Sequence, residues 1–126
     1  MIFGIGTDIV SIERIRHTLS RHGANFPQRI LSDNELVQLN DVVDIAPWIA
    51  KRWAAKEAFG KAAGLGIRAP LALKRIGVVN DEMGRPVFDL TEEVLAWLGE
   101  RGIKRMHLSL SDEREHAIAF VVFEAQ

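Results

Sequence analysis

Cysteine is absent from the 126 residues. That excludes disulfides, thiolate zinc sites and cysteine nucleophiles, and it suits a reducing compartment. Net charge is almost absent too: 16 Lys and Arg against 17 Asp and Glu leave −1. No general affinity for nucleic acid or for membranes follows from such a balance. No apolar run approaches the roughly 18 residues of a membrane span. The opening Met1-Ile2-Phe3-Gly4 lacks the basic stretch of a secretory signal. Repeats, low-complexity tracts and linkers are also missing. What remains is a chain that is 48% hydrophobic, so it is globular rather than disordered. At this length one domain, residues 1–126, buries roughly two thirds of its unfolded surface. The expectation is a single soluble domain in the cytoplasm.

The stretch Trp53 to Gly64 organises the chain. It is Ala-rich and free of β-branched residues and proline, and Gly64 and Gly66 close it where a left-handed cap is easy. Pro47, after Asp44, suits the helix start. At about 100° per residue, Glu57 and Lys61 lie roughly 40° apart on one face. Ala50, Trp53, Ala54 and Gly60 flank them. The opposite side carries Trp48, Ala55, Phe59 and Ala62, which is core-like, so no broad face reads as solvated. The two charges are either an ordinary pair one turn apart, worth a few tenths of a kcal/mol, or part of a site. In a site the carboxylate would hold a hard cation and the lysine would meet phosphate charge. Arg52 sits near the side of Lys56, and both are either solvated or aimed at anionic groups.

A second carboxylate has an equally unusual setting. Residues 2–10 read as a strand, with Phe3, Ile5, Thr7 and Ile9 on one face and Ile2, Gly4, Gly6, Asp8 and Val10 on the other. Glycines weaken a strand unless another backbone or a ligand comes close. Asp8 ends that Gly-lined face, either as a plain helix cap or as a ligand. Asp8 and Glu57 together make a candidate two-carboxylate site for Mg²⁺, which takes oxygen ligands and retains waters or phosphate oxygens. Spacing alone does not bring them together.

Ser11 can cap a helix reaching about His22 and ending at Gly23, with Ile12, Ile15 and Leu19 as its apolar stripe. Its other faces carry Arg14, Arg16, His17 and Arg21, a solvated face or a dock for an acidic partner. Phe26 to Ile30 reads as a connector. Ser32 and Glu35 match a capping box for a short helix to about Asn40. Ile76–Val79 and Val87–Phe88 read as two strands around a loop containing Gly84-Arg85-Pro86. Thr91 can cap a helix to about Arg101, with Val94, Leu95, Trp97 and Leu98 facing inward. Met106 to Ser111 alternates, with His107, Ser109 and Ser111 outward, the hydroxyls suiting a phosphate or sugar edge. Residues 117–123 are apolar on both faces: a central strand or one at a subunit interface. His17, His22 and His116 show no metal spacing. The fold class is α+β, an antiparallel sheet packed against a long central helix, in the order β–α–α–α–β–β–α–β–β.

The run Gly4-Ile5-Gly6-Thr7-Asp8-Ile9-Val10, followed by Ile12-Glu13-Arg14-Ile15, resembles the opening motif of the holo-acyl-carrier-protein synthases. Trp53-Ala54-Ala55-Lys56-Glu57-Ala58-Phe59-Gly60-Lys61-Ala62 resembles their second motif. Phe26 to Glu35, Gly84-Arg85-Pro86 and His107 to Ser111 match further, so the likeness covers essentially the whole chain. Gly60, where a serine is common, and Leu65, where a threonine is common, depart from it. The family is the small, single-domain type of 4′-phosphopantetheinyl transferase.

The resemblance implies transfer of the phosphopantetheine arm of coenzyme A to a serine of apo acyl carrier protein, in fatty acid biosynthesis, with release of adenosine 3′,5′-bisphosphate. It implies Mg²⁺, or Mn²⁺, on Asp8 and Glu57, with Glu57 as candidate base for the serine, directly or through a water. Lys61 would neutralise the phosphates, and His107 and Arg52 would hold those of the nucleotide. Gly64 and Pro86 would line the coenzyme groove, and Arg14 and Arg21 would meet the acidic carrier. It also implies a homotrimer with sites between subunits, with Asp8 and Glu57 from neighbouring chains. Such an arrangement would account for a central helix with no free face. Two rival readings stay open: a non-catalytic module that binds an acidic protein, and a Mg²⁺-dependent phosphoanhydride hydrolase.

Overall fold

Strand β1 (Ile2–Ser11) pairs antiparallel with β5 (His116–Ala125), and β5 with β4 (Ile103–Asp112), in the order β1-β5-β4. The computed structural model describes all 126 residues, Met1–Gln126. The run that is apolar on both faces is therefore the middle strand. Helix α4 (Ile45–Ala63) lies across one face of this sheet. The two strand glycines explain how closely. A Cβ added at Gly4 would stand 2.0 Å from the Ala62 carbonyl oxygen, and one at Gly6 would stand 2.0 Å from that of Ala58. Backbone meets backbone here, with Ala58 and Ala62 the small residues on the helix side.

Twelve of the 19 residues of α4 are buried. The sheet covers one side; α1 (Ile12–His22), β2 (Ile76–Asn80) and its antiparallel partner β3 (Pro86–Leu90) cover others. The missing free face is thus explained within one chain, not by subunit contacts. Phe59 is the hub. It meets Phe88 of β3 edge-on at 4.9 Å and Phe123 of β5 at 4.8 Å, the geometry aromatic quadrupoles favour.

Local signals set most boundaries. The Ser11 side chain accepts from the Arg14 amide at the start of α1, and Gly23 ends it at φ 57°. Both hydrogen bonds of the Ser32–Glu35 capping box open α3 (Asp33–Leu39). Gly64 ends α4 in the left-handed conformation, φ 79°. Helix α5 (Glu92–Glu100) buries Val94, Trp97 and Leu98, whereas Leu95 is exposed. Residues 25–30 are not a connector but a helix, α2 (Asn25–Ile30), which buries Pro27 and Ile30. Six residues are too few to show a helical period.

Two charges expected at the surface lie inside. Lys56 is fully buried, with its ammonium 2.6 Å from Glu35 Oε1. Arg52 is 5% exposed, and its guanidinium lies 4.0 Å from the centre of the Trp48 ring. Burial pulls both pKa values down from their ordinary range, against the opposing pull of Glu35. The sheet face away from α4 has the reverse character. Ile5 (60% exposed), Ile9, Ile118 and Phe120 (46%) leave an apolar surface there that no element of the chain covers.

Candidate active site

The alternation of β1 puts Asp8 on the same face as Gly4 and Gly6, toward α4. Glu57 and Lys61, one turn apart on that helix, meet it. The Lys61 ammonium donates to Asp8 Oδ1 at 3.1 Å and to the Thr7 carbonyl at 2.9 Å. Glu57 has its pKa raised, first by burial and then by the charge of Asp8, with Lys61 offsetting part of this. A cleft of about 320 Å³ opens beside the acids, walled by Arg14, Ile15, Phe26 and Trp53. The convergence happens inside one chain. This corrects the expectation that Asp8 and Glu57 come from neighbouring subunits: the glycine contact seats β1 directly on its own α4.

These residues suit a hard divalent cation. The donors are carboxylate oxygens, and no third Asp, Glu or His joins them into a larger ligand cluster. Two carboxylates fit an ion that keeps several water or phosphate ligands. A cation would offset both the burial of the Glu57 charge and its repulsion from Asp8, of which Lys61 relieves part. A pH dependence follows. Because the folded-state pKa of Glu57 is raised, the stability gained from its proton is present below the ordinary carboxylate range and lost as pH rises through the raised value. Mg²⁺ is therefore expected to raise the melting temperature most near neutral pH, by mass action on the charged pair. The gain should fade as pH falls through Glu57's raised pKa. Melting scans with and without Mg²⁺ across pH check this, and a gain independent of pH would contradict it.

The remaining candidates divide. Arg14 walls the acid cleft, and Arg21 is exposed further along the same helix. Arg16 is withdrawn from that basic face by a bidentate pair with Asp44, 3.1 and 3.2 Å. Gly64 is exposed at the end of α4, one residue past its last turn and three after Lys61. His107 and Pro86 lie elsewhere, in a second groove of about 440 Å³ shared with Arg85 and Ser109. Sheet register explains the separation. His107 stands opposite Val122, and Val122 opposite Ile5. His107 thus faces the uncovered side with Ile5, while Asp8, three residues further on, faces α4. His107 Nε2 sits 2.6 Å from Glu124 Oε1, a contact that lowers the Glu124 pKa. Arg52 lines neither groove.

Phe26 and Trp53 form an aromatic wall, with ring centres 6.1 Å apart, that the sequence reading did not assign to a site. The position of Trp53 on the Glu57 face was the available signal. No helix is long and apolar enough to cross a membrane.

The chain resembles known proteins over nearly its whole length. The profile of the 4′-phosphopantetheinyl transferase superfamily matches residues 4–121. The chain is 50% identical to the holo-[acyl-carrier-protein] synthase of Laribacter hongkongensis, over 98% of this chain and 99% of that one. The crystal structure of the holo-[acyl-carrier-protein] synthase from Neisseria meningitidis superposes with a TM-score of 0.96 at 45% identity, covering 98% and 99% of the two chains. That of the Bacillus anthracis enzyme, in complex with CoA (3′,5′-ADP), superposes with a TM-score of 0.83 at 35% identity, covering 100% and 99%. With its fold and nearly its whole length matched, the chain belongs to the 4′-phosphopantetheinyl transferase superfamily.

Proposed function

We propose that this chain transfers the 4′-phosphopantetheine group of coenzyme A to a serine of an apo acyl carrier protein, using Asp8, Glu57 and Lys61. The observation that carries the reading is the meeting of Asp8, Glu57 and Lys61 in one cleft of a chain of this superfamily. The serine oxygen bonds to the phosphorus that bears pantetheine, the anhydride P–O bond breaks, and adenosine 3′,5′-bisphosphate leaves. Phosphoryl transfer asks a protein for alignment and charge neutralisation more than for covalent help. Asp8 and Glu57 would hold Mg²⁺, or Mn²⁺, which when bound would supply charge stabilisation to the diphosphate. Lys61, anchored on Asp8 and Thr7, adds a point charge toward the same phosphates. Glu57, directly or through a water, accepts the serine proton.

His107 and Pro86 cannot reach this cleft in one chain, and the apolar sheet face beside His107 is uncovered. Both features support an assembly whose sites lie between subunits, which the family resemblance makes a homotrimer. The acid pair and Lys61 come from one copy. His107 and Pro86, for the nucleotide phosphates and the coenzyme groove, come from its neighbour, while Gly64 extends the groove from the end of α4. Arg52 reaches the nucleotide only if binding draws its buried guanidinium off Trp48. The reading carries with it the cytoplasm and fatty acid biosynthesis.

Arg14 and Arg21 receive the acidic carrier. Arg14→Glu is expected to raise the KM for carrier severalfold, with an on-rate defect that shrinks at high salt, as steering charges do. Steady-state kinetics at two ionic strengths check this, and an unchanged KM contradicts it. The activity itself is tested by intact mass of an apo carrier protein after incubation with this chain, coenzyme A and Mg²⁺. A phosphopantetheine adduct that a chelator abolishes is expected. Consumption of coenzyme A without a carrier would favour a hydrolase instead.

A further inference from the structure

The buried pair of Lys56 and Glu35 does more than the fold requires. Removing two charges from water is seldom compensated by their mutual attraction, and well-packed apolar residues often serve stability as well. Here both side chains are completely buried, and their contacts join three elements. Lys56, on α4, donates to Glu35 Oε1 at 2.6 Å and to the Ile76 carbonyl of β2. The Glu35 carboxylate also accepts the Ser32 amide at 2.9 Å and, through Oε2, the Val78 amide of β2 at 2.9 Å. One carboxylate thus ties the start of α3, the middle of α4 and the hairpin strand together.

What the tie connects is specific. Lys56 directly precedes Glu57 and lies five residues before Lys61. Two residues beyond Val78, Asn80 stands opposite Pro86, which walls the groove shared with His107. The clamp therefore joins the helix bearing the acid cleft to the hairpin bearing the second groove. In an assembly where each site takes one part from each copy, the offset between these two parts within a chain fixes the geometry of every site.

We propose that Glu35 and Lys56 are positioning residues for the transfer, their buried pair holding the Pro86 hairpin at a set offset from the Glu57–Lys61 helix. This rests on the transferase reading and adds a role that acts through neighbours, since neither side chain reaches either groove.

The test compares the double variant Glu35→Gln/Lys56→Met with Val94→Ala. The double variant removes both charges of the pair; Val94→Ala opens a cavity in α5 and touches neither groove. All measurements run well below every melting temperature. The double variant is expected to lose about 10–100-fold in kcat at saturating coenzyme A and carrier. Its calorimetric affinity for coenzyme A without carrier is also expected to weaken. Val94→Ala should keep wild-type values for both. If the double variant does not fold, Lys56→Gln, which keeps a donor toward Glu35 and leaves that carboxylate its two backbone amides, takes its place with the same expectations. Wild-type kcat and affinity in whichever variant folds would overturn the positioning role while leaving the transferase reading intact. Absence of transfer by the unaltered chain would remove the reading beneath it.

Discussion

Glu57→Gln is expected to lower turnover by about 10³-fold, with a melting temperature equal to or slightly above that of the unaltered chain. A positioned divalent ion and a working base each supply several kcal/mol of transition-state stabilisation, and a loss of about 4 kcal/mol is a factor near 10³. Glutamine keeps the shape and one oxygen but carries no charge for the ion and takes no proton from the serine. The fold should not suffer. Glu57 is held partly out of water beside Asp8, and its raised pKa records that its charged form is disfavoured there. Neutralising it relieves that strain. Single-turnover kinetics and a melting scan on one preparation separate the two effects. Wild-type turnover would remove Glu57 from the chemistry.

Gly6→Ala is expected to act through the fold. Its new Cβ would stand 2.0 Å from the Ala58 carbonyl oxygen and 2.8 Å from the Ala62 nitrogen. Both are helix backbone, which cannot step aside as a side-chain tip can. Strand β1 must lift from α4, loosening contacts made along the strand. Overpacking typically costs 1–3 kcal/mol, and a backbone-on-backbone clash belongs at or beyond the top of that range, about 3 kcal/mol. For a chain of this length that is a fall of roughly 10 °C in melting temperature. Because β1 also carries Asp8, activity should fall below what the unfolded fraction explains. Gly99→Ala is the control: a Cβ there meets nothing within 4 Å, inside a helix where alanine is preferred. Equal melting temperatures for Gly6→Ala and the unaltered chain would contradict the close contact.

These two residues mark how far the sequence could be read. Gly6 in a strand announced a close approach, and alternation put Asp8 on the approached face. Ser32 and Glu35, three residues apart, announced a helix start, and both of their hydrogen bonds form. Such signals are local, set by spacing of two to four residues. What spacing does not encode is which surfaces meet. Lys56 reads as a surface charge, solvated or aimed at an anion, because its partner, Glu35, lies 21 residues earlier on another helix. Arg52 looked available to a phosphate because stacking on Trp48 depends on how α4 is buried, not on where it starts. Asp8 and Glu57 could be recognised as unusual singly, but the chain each belongs to in a site depends on packing of β1 against its own α4.

The most direct measurement of the shared site uses mixed assemblies. Asp8→Ala, Glu57→Ala and His107→Ala chains are each expected to be impaired alone. Unfolding and refolding Asp8→Ala together with Glu57→Ala should restore nothing, because no chain then holds both acids. Mixing Asp8→Ala with His107→Ala should restore up to about a quarter of the unaltered activity, since random cyclic assembly places an intact acid pair beside an intact His107 at that frequency. Recovery in the first mixture, or none in the second with mixed assemblies verified by mass, would contradict a site built from the acids of one chain and the histidine of the next.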